Sequence, residues 1–175
     1  KRDWSSDVCS SDLGRVGAGV GATVGKWRGR EHAVPGGVGV AAATVDGATL
    51  AAIAVVNAVG DVIGADGRVL AGSTAPAGTP AFPDPAAFSA RDDTTLVAVI
   101  TDGDCDKLGC FLLAQSAHDG LARALHPAHT RFDGDLVVSA ATGAVPVGID
   151  RLRVLATEVT AAAIRAAVAP TGGRP

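Results

Sequence analysis

The amino-acid sequence predicts one layered domain in which helices pack on β-sheet, an α/β or α+β sandwich. Two observations lead to this prediction. The 175 residues are 47% hydrophobic and only 19% charged, which is enough apolar material for one sizeable core. Apolar segments also follow one another as two strands, a third strand, a helix, a strand and a helix, which is an order typical of layered folds.

The first half of the chain begins with a glycine-rich segment, residues 14–39, which predicts tight turns and not a helix. Two nearly continuous apolar runs follow, VGVAAATV and ATLAAIAVVNAVGDV, separated by the turn dipeptide Asp46-Gly47. Because neither run alternates with polar residues, we expect two strands that are buried on both faces.

A proline-rich connector, residues 73–93, separates these strands from the second half of the chain. Proline fits neither a helix interior nor a β-ladder, so we expect this segment to be exposed. The run TLVAVITD then predicts another buried strand. RFDGDLVVSAATG predicts a turn and a strand, and DRLRVLATEVTAAAIRAAVA predicts a closing helix.

Residues 104–125 predict an amphipathic helix, with acidic residues at its start and Pro127 beyond its end. Its apolar face should cover the sheet. We assign to that face Leu108, Phe111, Leu112, Ala114, Gln115 and Ala122.

Charge and hydropathy exclude several classes of partner. The net charge is −3 and the 15 basic residues are scattered, which argues against nucleic-acid binding. No apolar run is long enough to span a membrane and no secretion signal opens the chain, so we expect a cytoplasmic protein. Cys105 and Cys110 lie five residues apart, which suits no paired zinc motif, and we expect free thiols used in packing.

Three short motifs imitate ligand sites without meeting their requirements. GAGVGA, at 17–22, matches the loose dinucleotide pattern, but no acid follows about twenty residues later. Gly25-Lys26 imitates a phosphate loop, but Trp27 stands where Ser or Thr is required. Residues 102–106 alternate acids like the start of an EF-hand but lack its glycine and its closing glutamate. We therefore expect no cofactor.

Three histidines, His118, His126 and His129, lie near the Asp133/Asp135 pair and raise the question of a metal site. Their spacing matches no familiar ligand set. We expect no metal here and assign the histidines to hydrogen bonding near the site.

The first residues have a different character. DWSSDVCSSDL, at 3–13, shows no periodicity and resembles the translation of a sequencing-library adapter. We therefore expect residues 1–13 to be non-native, with Trp4 and Cys9 as artefacts, and the natural chain to have lost an N-terminal part.

A set of polar residues lies at the ends of predicted strands. Thr94 follows the connector, Asn57 ends an upstream strand, and Asp133-Gly134-Asp135 precedes a later one. With the segments VGAGVGATVGKW, VVNAVGDV, DTTLVAVITD, AHDGLARALHPAHTRFDGD and SAATG, the chain resembles the self-processing aminopeptidase family. That family includes the DmpA-type L-aminopeptidase/D-esterases, the β-peptidyl aminopeptidases and the nylon-oligomer hydrolases. The resemblance covers most of residues 14–170.

The resemblance implies an Ntn-hydrolase-like, layered αββα-type sandwich that is incomplete at its N-terminus. It also implies self-cleavage between Asp93 and Thr94. Residues 14–93 would then be the C-terminal part of an α-subunit region, and 94–175 the β-subunit region. Together, 14–175 would form one partial domain, with homo-oligomeric assembly and small peptides or amides as substrates.

By the same resemblance Thr94 is the nucleophile, and its freed α-amine, with a reference pKa of about 8, is the base. Asn57 would supply the oxyanion donor. Asp133 and Asp135 would orient the hydroxyl and the amine, and Lys26 would lower the pKa of the amine. The chain departs from the family at Asp93, where Asn or Gly is usual.

Two other functions remain open on the sequence. The ornithine acetyltransferase family is built similarly, also cuts itself before Thr, and transfers the acyl group to an amine. A non-catalytic, oligomer-forming domain of the same fold is the second alternative.

Overall fold

A computed structural model of the chain describes residues 13–84, 86 and 93–169. The predicted non-native segment lies outside these residues except for Leu13, and it stays a prediction. The strands are β1 (Thr23–Val24), β2 (Val34–Pro35), β3 (Gly37–Val45), β4 (Ala48–Asn57), β5 (Asp61–Ile63), β6 (Val69–Ala71), β7 (Thr94–Gly103), β8 (Leu125–His126) and β9 (Leu136–Val145). The helices are α1 (Lys107–Ala124) and α2 (Ile149–Ala166), and single 3-10 turns occupy Gly17–Gly19 and Arg30–His32.

The main sheet has the strand order β3-β4-β7-β9. β3, β4 and β7 run antiparallel in turn, whereas β9 is parallel to β7 and follows it through α1. Asp46 and Gly47 join β3 to β4 with positive φ angles of 49° and 82°, the backbone of a tight hairpin turn. A small sheet of order β6-β5-β8 and the β1-β2 pair complete the described strands.

The core lies between one face of the main sheet and the two helices. Along β4 every second residue is buried, and the fully buried members include Leu50 and Val56. α2 contributes Leu152, Val159 and Ala163. The helices therefore cover the sheet as the sequence predicted.

The opposite face of the sheet corrects one prediction. Ile53, Leu96, Ile100, Leu136 and Val138 point away from the helices and are 40–54% exposed. Burial on both faces, which was expected for β3 and β4, is wrong for these two strands, because α1 and α2 both pack on one side of the sheet. This face is nevertheless apolar, as in strands that lie between two layers.

The buried face of α1 is also different from the predicted one. Leu108 and Phe111 are 62% and 58% exposed, whereas Leu113 and Leu121 are fully buried. The helix turns its small residues toward α2, and a Cβ added to Gly120 would lie 2.6 Å from the carbonyl oxygen of Thr157. Close helix packing therefore decided the orientation of α1, and Leu108 and Phe111 were left exposed.

Two further findings concern the cysteines and the helices of the described residues. Cys105 and Cys110 are free thiols and half-buried, as expected. None of the helices in residues 13–84 and 93–169 has the length and apolar character needed to cross a membrane.

Candidate active site

The predicted site residues meet at the N-terminal end of β7 because of strand direction. β4 is antiparallel to β7, so the last residue of β4, Asn57, pairs with the first residue of β7, Thr94. β9 is parallel to β7, so the turn before β9 lies beside the residue before β7, and Asp93 bridges to Asp133. Three distant segments thus share one sheet edge.

The carbonyl oxygen of Asp93 accepts two hydrogen bonds. One comes from Thr94 Oγ1 at 2.6 Å and the other from the backbone N–H of Gly134 at 2.8 Å. A Cβ at position 134 would lie 2.8 Å from Thr94 Oγ1, so only glycine lets the turn approach this closely. A hydroxyl and a backbone N–H therefore both donate to the oxygen of the same carbonyl group, which places the Thr94 hydroxyl beside the Asp93–Thr94 peptide bond.

The Asp93 side chain lies in a buried cluster of charges. Its carboxylate accepts hydrogen bonds from Lys26 Nζ at 2.7 Å and from Arg30 at 2.5 Å, and only 2% of the side chain is exposed. Burial lowers the pKa of Lys26, and the hydrogen bond and charge of Asp93 oppose that shift.

Lys26 also fixes the orientation of Asn57. The Lys26 ammonium lies 2.7 Å from Asn57 Oδ1, and the Thr23 N–H donates to the same oxygen at 3.0 Å. Because both are donors, the carbonyl side of the amide faces them and its NH₂ group faces away. Asn57 and Thr94 line a cleft of about 240 Å³ together with Leu96 and smaller side chains.

Asp133 holds the backbone beside Thr94. Its Oδ1 accepts from the Val59 N–H at 3.0 Å and its Oδ2 from Thr130 Oγ1 at 2.7 Å. Burial raises the pKa of Asp133, and these hydrogen bonds partly counteract the shift.

Asp135 has a similar position on the other side of Gly134. It accepts from the Thr95 N–H at 2.9 Å and lies 2.9 Å from His129 Nδ1. The two carboxylates therefore secure the segments around Thr94, while the hydroxyl itself bonds to the Asp93 carbonyl. His129 has the hydrogen-bonding role expected of the histidines.

All five predicted site residues, together with Asp93, thus lie around one peptide bond, but two contributors were missed. Arg30 and the backbone N–H of Gly134 gave no specific signal except the glycine within the Asp-Gly-Asp turn. Among the residues that the structure describes, no cluster of three or more His, Cys, Asp or Glu side chains is arranged to hold a metal ion.

Comparison with known proteins assigns the chain to a family. Residues 5–172 match the sequence model of Peptidase family S58. This chain belongs to Peptidase family S58.

An uncharacterized aminopeptidase of Mycobacterium leprae is 38% identical over 170 residues, which cover 86% of this chain and 45% of the relative. An uncharacterized aminopeptidase of Mycobacterium tuberculosis is 39% identical over 150 residues, covering 77% and 42%. The S58 chain therefore spans less than half the length of these relatives.

Solved structures confirm the predicted fold class. A Burkholderia β-aminopeptidase superimposes with a TM-score of 0.65 at 23% identity, covering 89% of this chain and 46% of the other. The L-aminopeptidase D-Ala-esterase/amidase of Ochrobactrum anthropi gives a TM-score of 0.60 at 18% identity, covering 89% and 44%. The latter is described as a variant of the Ntn hydrolase fold. The S58 chain thus has part of an Ntn-hydrolase-type fold, and the boundaries 14–93 and 94–175 stay predictions.

Proposed function

We propose that this S58 chain belongs to an aminopeptidase that cuts itself between Asp93 and Thr94 and then uses Thr94 as its nucleophile. The observation that carries the proposal is the convergence of Thr94 Oγ1 and the Gly134 N–H on the Asp93 carbonyl. The family match supports hydrolysis over acyl transfer to an amine.

In self-cleavage the Thr94 hydroxyl forms a bond to the carbonyl carbon of Asp93, and the peptide C–N bond breaks. The backbone nitrogen of Thr94 takes up the proton released by the hydroxyl and becomes the free α-amine of Thr94. Water then hydrolyses the ester, which restores the hydroxyl and leaves a new carboxylate on Asp93. The attacked group belongs to the backbone, so the reaction forms and breaks no bond of the Asp93 side chain.

In turnover the same hydroxyl attacks the carbonyl of a small peptide or amide, with the freed α-amine as base. The Gly134 N–H and the Asn57 amide would stabilise the oxyanion, an effect of about 3–4 kcal/mol for a well-aimed donor. The nearby Lys26 ammonium favours the neutral, basic form of the α-amine. Asp133 and Asp135 would position the hydroxyl and the amine through the segments that they hold.

Homo-oligomeric assembly and a cytoplasmic location stay predictions. The exposed apolar side chains Leu108, Phe111 and Val154, which are 58–62% exposed, support contacts with further copies of the chain.

Intact-mass spectrometry of the purified protein tests the proposal. For the unmutated chain we expect two fragments that meet at Asp93/Thr94. Thr94→Ala should remain a single uncut chain. Thr94→Ser, which keeps a hydroxyl, should be cleaved. Thr95→Val is the matched control, because its side-chain hydroxyl is buried and has no hydrogen-bond partner. An uncut wild-type chain would favour the non-catalytic alternative.

A further inference from the structure

The side chain of Asp93 occupies a structured anion site inside the protein. Its two oxygens are shared between Lys26 and Arg30, and the Lys26 side chain is only 3% exposed. Asn57 holds the Lys26 ammonium in place through a second hydrogen bond of 2.7 Å. Hydrogen bonds between charged partners are about twice as strong as neutral ones. This site therefore holds a carboxylate between two charged partners.

The proposed chemistry makes this anion site part of substrate binding. Self-cleavage passes through an ester in which the acyl group of Asp93 is attached to Thr94 Oγ1. Turnover passes through an ester in which the acyl group of the substrate is attached to the same oxygen. If the carbonyl oxygen stays at the Gly134 N–H in both esters, the side chain of the acyl residue points in the same direction in both.

We propose that the site formed by Lys26 and Arg30 is the acyl-side specificity pocket of the mature enzyme, and that it selects substrates with an N-terminal aspartyl residue. This inference rests on the proposed function. The aspartyl carboxylate takes the place that Asp93 leaves after cleavage. A neutral side chain there would deprive the Lys26 ammonium, which is only 3% exposed, of its carboxylate partner, and this is unfavourable for a buried charge.

Matched substrates test the pocket directly. The full chain is expressed, and the processed form with Thr94 at its new N-terminus is verified by mass. It is then assayed with the p-nitroanilides of L-aspartate, L-asparagine and L-alanine. We expect kcat/KM for the aspartyl substrate to exceed that for the isosteric asparaginyl substrate about 10- to 100-fold, the range for a charged hydrogen bond. Equal efficiency, as would follow if Asp93 stayed in its site after cleavage, would overturn the assignment.

Variants of Arg30 separate specificity from general damage. Arg30→Gln should lower the aspartyl-to-asparaginyl ratio severalfold without abolishing it, because Lys26 still pairs with the carboxylate, and Arg30→Lys should preserve most of the ratio. Because the ratio is taken on one preparation, a loss of folded protein lowers both rates and leaves the ratio unchanged. A wild-type ratio in Arg30→Gln would contradict the pocket.

A binding measurement distinguishes this inference from the proposed function. Calorimetry with free L-aspartate and L-asparagine, the acyl products, needs no turnover. Processed protein that hydrolyses none of the anilides but binds L-aspartate about tenfold tighter would preserve the pocket and contradict the peptidase. Hydrolysis of the anilides without preference for aspartate would preserve the peptidase and contradict the pocket. A chain that stays uncut would overturn both.

Discussion

The two sides of the Asp93–Thr94 peptide bond are held in different ways. On the upstream side, the Asp93 carboxylate is bound by the charged side chains of Lys26 and Arg30. On the downstream side, Thr94 begins β7 and pairs with Asn57 of β4, and the ladder to β9 begins two residues further on, at Leu96. Asp135 adds a hydrogen bond to the Thr95 N–H.

This difference matches what self-cleavage would require of each side. The residue before the bond must leave, and it is held by the ion pairs of its side chain and by one backbone hydrogen bond from Gly134. The residue after the bond must keep its position, and a central strand with neighbours on both sides is among the most stable parts of a fold. We expect substitutions on the two sides to have different consequences, in the following order of size.

The largest effect should come from removing the upstream charge. In a Thr94→Ala background, which keeps the chain intact, Asp93→Leu should lower the free energy of unfolding by about 3–5 kcal/mol, because it leaves a buried ammonium without its carboxylate. Urea denaturation measures this. The control is Asp150→Leu, which breaks an exposed pair with Arg153 and should cost under about 1 kcal/mol. Equal losses would show that the upstream cluster has no special stability.

The next effect concerns how closely the turn at Gly134 approaches the Asp93–Thr94 peptide bond. Gly134→Ala would push a methyl group against Thr94 Oγ1, and self-cleavage should slow about 100-fold, as for a displacement of about 1 Å in an active site. The rate is followed by intact mass over time. Gly148→Ala is the matched control, since its Cβ would meet no atom within 4 Å. Cleavage of Gly134→Ala at the wild-type rate would rule out this contact as a determinant.

A smaller effect is expected for the downstream carboxylate. Asp135→Asn keeps an acceptor for the Thr95 N–H but removes its charge and alters the contact with His129. In the Thr94→Ala background we expect a loss of about 1–2 kcal/mol by urea denaturation, since charged hydrogen bonds are worth more than neutral ones. A loss as large as that of Asp93→Leu would show that both sides depend on charge equally.

The smallest effect should be a pH dependence that originates near the downstream side. Burial, together with the charge of His129, lowers the pKa of His118 from 6.5. Folding therefore favours the neutral ring, so its contribution to stability is full above pH 6.5 and is lost as the pH falls through the lower folded pKa. Urea denaturation at pH 7.5 and at lower pH should show this decline, and His118→Gln should reduce it. If the free energy of unfolding of His118→Gln declined with pH as much as that of the unmutated chain, the decline would originate from other groups.

The sequence predicted the location of the site better than its contacts. Thr94, Asn57 and the Asp133–Asp135 turn were each placed at a strand end, and strand direction alone brings such ends to one sheet edge. The ion pairs of Asp93 could not be predicted, because they join residues 63 and 67 positions apart in sequence. No local pattern records such a contact.

The burial predictions failed for a related reason. Leu96 and Ile100 are as apolar as core residues but lie on the sheet face that α1 and α2 do not cover. Phe111 is exposed, whereas Gly120 lies in the helix contact. Hydropathy tells which residues are suited to burial, but the packing of small residues decides which face of an element is covered.

The sequence by itself determined the order and kind of the main elements, the turn at Asp46-Gly47 and the family-like set of polar residues at strand ends. These depend on local propensity, periodicity and short motifs. Only the tertiary structure decided that Lys26 and Arg30 bind the side chain of Asp93 and that Gly134 donates to its carbonyl. Such contacts require the sheet and its loops to be assembled, because they join groups that are distant in sequence and become neighbours only when the core is packed.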